Sequence, residues 1–197
     1  MKVDKLTVEM TLTETTLGTV PKNKEVYRSY IATKAREAVL AGSVKADDVE
    51  AEAETVHEVE EKGWTGWHQD EKGIFIYDYM IRGFLKAAAE ALKDQKGLKN
   101  VKTKIDRFVF VFPRKIHLLR DGEPILSPDG VVERPLRAQT MQGPRVTLAR
   151  SDSISAGAVL KFDIHLIANK EGKEEDAKNK AFNRDVIEEL FLYGQYQ

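Results

Sequence analysis

Cysteine is absent from the 197 residues. Its absence excludes disulfides, thiolate nucleophiles and cysteine-based zinc sites, and makes a reducing compartment the natural home. Long apolar runs are missing too. Stretches such as Phe108 to Phe112 fall far short of the roughly 20 residues that span a bilayer. The N-terminal stretch Met-Lys-Val-Asp-Lys-Leu-Thr-Val-Glu-Met alternates polar and apolar residues and lacks the apolar segment of a signal peptide,. A cytoplasmic location with no membrane partner is expected. Nor does one charge dominate. With 31 Lys and Arg against 32 Asp and Glu, net charge alone would not hold this chain to a polyanion. There is also no glycine-rich phosphate loop, no Gly-x-Ser-x-Gly elbow and no kinase-type set of motifs. The expectation is a binding protein, not an enzyme, with no catalytic residue, no metal site and no cofactor.

The composition that is present, 42% hydrophobic and 32% charged, describes one well-solvated globular domain over residues 1–197. The charges are unevenly placed. Between Gly42 and Glu71 the acids Asp47, Asp48, Glu50, Glu52, Glu54, Glu58, Glu60, Glu61, Asp70 and Glu71 face only Lys45 and Lys62. Between Arg82 and Arg150 the cations outnumber the acids by about two to one,. Such asymmetry can direct a polyanion to one face, or simply describe two solvated surfaces.

Val3 to Leu12 alternates as a half-buried strand, and Ala158 to Ile167 does so more clearly,. Asn23–Ala41 and Lys45–Lys62 read as two helices with few apolar residues, a helical insertion over 21–63. Trp64–Trp67 and Ile74–Tyr77 flank the turn signal Asp70-Glu71-Lys72-Gly73. Asp78 can cap a helix over Tyr79–Gln95, rich in alanine and leucine, with Ile81, Leu85, Ala88 and Leu92 on its buried stripe. Ile105 to Phe112 reads as a strand, and its apolar run Phe108 to Phe112 as buried on both faces. A last helix is expected over Ala177–Tyr193, with Phe182, Val186, Ile187 and Leu190 on one side. Between these, residues 113–150 carry Pro113, Pro124, Pro128 and Pro144 together with six arginines. This stretch reads as an extended hairpin or long ordered loop, a kind of excursion that is usually functional.

The resulting order is the β-α-β-β-α of a ferredoxin-like (RRM-like) α+β core without its closing strand. The chain ends at Gly194-Gln195-Tyr196-Gln197, so either a partner chain fills the open edge or the natural protein continues. Self-association or a partner protein at that edge is expected.

The candidate chemistry is sparse. His57, His68, His117 and His165 form no close pair, and a zinc site would need them to converge without cysteine. His165 alternates outward from its strand, and His68, beside Trp67 and the turn, is placed nearest a surface groove. Trp64 and Trp67 could form a stacking platform or could be core. The sharpest feature is Glu133-Arg134-Pro135-Leu136-Arg137-Ala138-Gln139-Thr140-Met141-Gln142-Gly143-Pro144-Arg145. Its guanidinium groups can pair with phosphates and stack on bases, and Met141 could wedge between bases. An ordinary solvated hairpin with Met141 packed on the core is the competing reading.

Two segments and the element order resemble the RAMP superfamily, the ferredoxin-like RNA-binding subunits of CRISPR effector complexes. Tyr79-Met80-Ile81-Arg82-Gly83-Phe84-Leu85-Lys86-Ala87-Ala88 is similar to that family's strand-to-helix junction, with Ile81-Arg82-Gly83 in place of its Pro-Gly-Ser turn. Ser153-Ile154-Ser155-Ala156-Gly157-Ala158-Val159-Leu160-Lys161-Phe162 is similar to the entry into its third core strand. The arginine-bearing excursion over 113–150 stands where backbone subunits carry a thumb that presses on guide RNA. The resemblance implies a non-catalytic subunit that binds single-stranded RNA, or single-stranded DNA, and oligomerises. The implied contacts are Arg82, Lys86, Arg114, Arg134, Arg137, Met141, Arg145 and Arg150. The alternative is a protein–protein interaction module, such as a phage or mobile-element protein that occupies a CRISPR subunit's position or belongs to a structural assembly.

Overall fold

The computed structural model describes residues 3–29, 63–96, 100–140, 143–167 and 183–195. The chain is a mixed α/β protein rich in sheet. It divides into two compact units: residues 1–10, 76–116 and 160–197 form the first, and 11–75 with 117–159 the second. Among the described residues no helix is long and apolar enough to cross a membrane.

The first unit is built on strands β1 (Val3–Thr11), β7 (Val109–Phe112) and β12 (Val159–Ile167). β12 lies beside β1 and pairs antiparallel with β7, setting His165 opposite Phe110 and Asp163 opposite Phe112. One face of β12, formed by Leu160, Phe162, Ile164 and Leu166, is buried. Helix α2 (Asp78–Lys96) buries Ile81, Leu85, Ala88, Ala89 and Leu92, the stripe its alanine- and leucine-rich sequence encodes,. It packs against helix α4 (Arg184–Gly194), with the Phe84 and Phe191 rings 5.6 Å apart. α4 starts later than its sequence suggests. Asn183 is extended, and its side chain accepts the Val186 N–H at 3.2 Å, so it caps the helix from outside,. The expected turns at 177–182 lie outside the described residues.

The strand expected over Ile105–Phe112 is corrected. Residues Val101–Phe108 form helix α3, and only Val109–Phe112 is strand. Val101 and Ile105 are one helical turn apart and both buried, while the intervening Lys102, Thr103 and Lys104 stay on the wet side,. Burial on both faces is also corrected. Val109 and Val111 are buried, but Phe110 and Phe112 are 41% and 47% exposed. Among the described residues, helices α2 and α3 contact β7.

In the second unit, β5 (His68–Asp70) and β6 (Gly73–Tyr77) form the expected hairpin, whose first strand begins after Trp67 instead of at Trp64. The Asp70 carboxylate accepts the Lys72 N–H at 3.0 Å and so closes the turn,. β8 (Lys115–Arg120) lies beside β6, and β9 (Glu123–Pro124) folds back on β8. A separate sheet runs β10 (Gly130–Thr140), β11 (Gly143–Ile154), β4 (Trp64–Gly66) and β3 (Val20–Pro21), with β2 (Thr16–Leu17) also on β11. The stretch 113–150 is therefore not one excursion. Its first part is sheet strand β8, and the long ribbon begins at Gly130. Helix α1 starts at residue 24, capped by Asn23, whose side chain accepts the Val26 N–H at 3.1 Å. The remainder of the helical insertion, 30–62, lies outside the described residues. The Ala156-Gly157 step that resembles a family signature has a local cause here: Gly157 turns the chain at φ 91°, where a side chain is disfavoured,.

Arg120 clamps Asp129 with two hydrogen bonds of 2.7 Å, and the Ser155 N–H adds a third at 2.7 Å. The Arg120 hydrogen bonds, followed by that of Ser155, hold the Asp129 carboxyl well below the ordinary carboxylate range. A depressed carboxylate stabilises the fold above its unfolded pKa of about 3.9 and loses that contribution as pH falls through the lower folded value. The difference in urea midpoint between wild type and Asp129→Asn is therefore expected to be constant near neutrality and to shrink only below pH of about 4. The helix assignment gives a second test. Ile105→Ala is expected to cost about 2–5 kcal/mol in urea denaturation, whereas Phe112→Ala costs less than about 1 kcal/mol.

Candidate nucleic-acid interface

Two of the sequence-derived residues meet in the first unit. Arg82, one turn into α2, donates to the Asp78 carboxylate at 3.1 Å. Arg114 follows β7 and sits over the Tyr77 ring, 5.7 Å from its centroid, and its carbonyl accepts the Asp78 N–H at 2.9 Å. Asp78, Arg82, Phe110, Val111, Phe112 and Arg114 line a cavity of about 230 Å³. The Arg82 Nε–H is closed to solvent and has no hydrogen-bond partner among the described residues. His165 stacks obliquely on Phe112 with centroids 4.8 Å apart, in keeping with its outward position on β12. The patch thus combines two guanidinium groups, one carboxylate and two exposed phenyl rings. Lys86 does not join it, because its ammonium is paired with Asp106 on α3 at 2.5 Å.

The remaining candidates belong to the β10–β11 ribbon of the second unit. Its register runs from Gly130 opposite Ser153 to Thr140 opposite Gly143. Arg134 and Arg137 are both exposed. Being an odd number of residues apart, they lie on opposite faces, so they do not form one cationic surface. Arg134 reaches the Ser151 hydroxyl only weakly, at 3.4 Å. Arg145 stands opposite Ala138 in the register, and Met141 lies outside the described residues. Arg150 is engaged: it pairs with Glu133 at 2.6 Å and lies 5.6 Å from the centre of the Trp64 ring. Val131, Leu136, Val146 and Leu148 leave much of their surface in water.

Trp64 is engaged within the second unit. Its indole N–H donates to Asp152 at 2.7 Å, Lys22 pairs with the same carboxylate at 2.9 Å, and the Lys22 ammonium lies 4.8 Å from the ring centre. His68, expected near a surface groove, is instead buried, stacked on Phe75 and edge-on to Tyr27. The reason is its place on β5, where its ring packs against β6. His117 meets Asp70 at 2.9 Å, and among the described residues no three His, Asp or Glu side chains form a metal-ligating group.

Phe110 and Phe112 are the functional candidates that sequence reading missed. The available signal was the strict alternation Val-Phe-Val-Phe at 109–112, which is compatible with one dry face and one aromatic face. No protein-family model matches this chain, and no curated protein matches it.

The Asp152 cluster makes a clear prediction. Asp152→Ala takes the carboxylate from the buried Lys22 ammonium and the part-buried Trp64 indole N–H, and is expected to cost about 3–5 kcal/mol. Urea denaturation followed by tryptophan emission measures it, and Arg137→Ala is the near-neutral control.

Proposed function

We propose that this protein binds single-stranded RNA, or single-stranded DNA, without chemically altering it. The observation that carries the reading is the pair of exposed rings, Phe110 and Phe112, set by strand alternation beside Arg82 and Arg114. Single-strand binders combine these two chemistries. Aromatic rings stack on unpaired bases, and guanidinium groups follow the phosphates. The exposed Arg134 and Arg137 on the ribbon supply further cations at a distance along the chain,.

A ferredoxin-like core of RAMP type is part of this proposal. Its support is the adjacency of β1, β12 and β7, which sets the first, third and second core strands side by side, and the helices α2 and α4 that follow the expected order. Within such a core β1 ends the sheet among the described residues and offers its outer edge to a second copy or a partner. The ribbon's exposed Val131, Val146 and Leu148, which the register sets on one face, favour a second reading, in which the chain docks a protein,.

A polarisation titration with a labelled single-stranded RNA at two salt concentrations separates these readings. The double variant Phe110→Ala/Phe112→Ala is expected to lose about 1–3 kcal/mol per stacked base with the salt slope unchanged. Arg134→Ala/Arg137→Ala is expected to make log K less salt-dependent by about 0.7 per lost phosphate contact. If the wild-type chain shows no binding at low salt, the single-strand reading fails and the protein-docking reading replaces it.

A further inference from the structure

Residues paired across the β10–β11 ribbon share a face, so the register puts Glu133, Pro135 and Arg137 on one side together with Arg150, Leu148 and Val146,. The 2.6 Å pair of Arg150 with Glu133 agrees with that placement. At its base this face is closed, because Asp152 holds Lys22 and Trp64 there. Exposure then climbs along β11 away from the cluster. Asp152 is buried, Arg150 half-buried, Leu148 53% exposed and Val146 64% exposed. On the other face Leu136 is the one exposed large hydrophobic residue among the described residues. The apolar side chains left in water are thus gathered on one side, which marks an interaction surface.

This face is complementary to itself. Glu133 and Arg137 stand two residues either side of Pro135, which lies opposite Leu148. Four residues apart on one strand, they are separated by roughly 13 Å and do not meet within a chain. A second copy turned by 180° about an axis between the faces, running across the strands at the Pro135–Leu148 pair, reverses their order. Pro135 and Leu148 then lie over their own counterparts, and each Arg137 lies over Glu133 of the second copy. Sheets stacked face to face are about 10 Å apart, a gap that an arginine and a glutamate span together. The Glu133 carboxylate has lone pairs beyond those that Arg150 uses, and a two-fold contact makes the new pairing twice. Pro135, with no N–H, disfavours the other route to self-association, strand addition at the β10 edge. With β10 eleven residues long and two strands roughly 10 Å wide, the face offers on the order of 350 Å². A stable interface takes about 800 Å² from each partner, so this contact is weak and depends on concentration.

We propose that this face of the ribbon is a two-fold interface with a second copy of the chain. It supplies the partner that the protein-docking reading leaves open, and it does not depend on the single-strand reading.

Sedimentation velocity of the nuclease-treated full chain, without nucleic acid, tests it from micromolar concentration to about 1 mM. A monomer–dimer equilibrium that stops at the dimer is expected, because a two-fold contact closes on itself. Leu148→Glu puts a charge at the centre of the interface and is expected to leave a monomer. Arg137→Glu and Glu133→Arg each bring like charges together and are expected to weaken the dimer about tenfold. Mixed in equal amounts, those two variants restore it, since each contact between them again joins a carboxylate to a guanidinium. Circular dichroism checks that every variant is folded. A chain that stays monomeric up to about 1 mM overturns the second-copy assignment and leaves the surface to a different protein. Assemblies that grow past the dimer, a dimer indifferent to Leu148→Glu, or a mixture no more dimeric than its components each overturn the two-fold arrangement. Strand binding is read in separate titrations, so failure of either proposal leaves the other standing.

Discussion

The candidate site depends on which way β7 faces. Val109 and Val111 are buried on the side where α2 packs, and side chains along a regular strand alternate between its faces. Once the two valines are committed to the core, Phe110 and Phe112 must face away from it. A slip of one residue would bury the phenylalanines and expose the valines, so the packing that stabilises the first unit also fixes its aromatic surface. The pairing of β7 with β12 adds His165 to the same side, and Arg114 follows directly in the chain.

Charge is handled differently in the two units. Asp152 is the organising acid of the second: it takes the Lys22 ammonium and the Trp64 indole N–H, and Trp64 in turn lies under Lys22 and Arg150. Buried charges of this kind persist because every member has a partner, and removing one strands the others. Arg120 and Asp129 do the same nearer the surface. Much of the basic character that the sequence shows between Arg82 and Arg150 is thereby spent on internal pairs. Lys86 and Arg150 are tied to Asp106 and Glu133. In the first unit Arg82 is likewise tied to Asp78.

The ribbon has an equally physical limit. Two strands paired over their whole length hold consecutive residues on alternate faces, so Arg134 and Arg137 divide between them,. Among the described residues β10 is an edge strand, and Pro135 in its middle has no N–H to offer a neighbouring strand. That residue blunts open-ended strand addition while leaving the side chains accessible.

Periodicity alone determined β1, the β5–β6 turn, α2 and β12, because each carries a repeat or turn signal that admits one conformation. Composition excluded thiol chemistry. The start of α4 and the existence of α3 were not legible. A two-turn helix with buried Val101 and Ile105 around Lys102 and Lys104 carries too few apolar residues to distinguish it from a loop leading into a strand. The exposure of Phe110 and Phe112 was not legible either, since hydrophobicity says that a side chain favours burial and not whether a neighbouring layer exists to bury it. For the same reason the sequence named eight binding candidates by residue type. Only tertiary structure decided that Arg82 and Arg114 share a cavity while Lys86 and Arg150 are already paired, because the partner of a charge is set by what folding brings within about 4 Å of it.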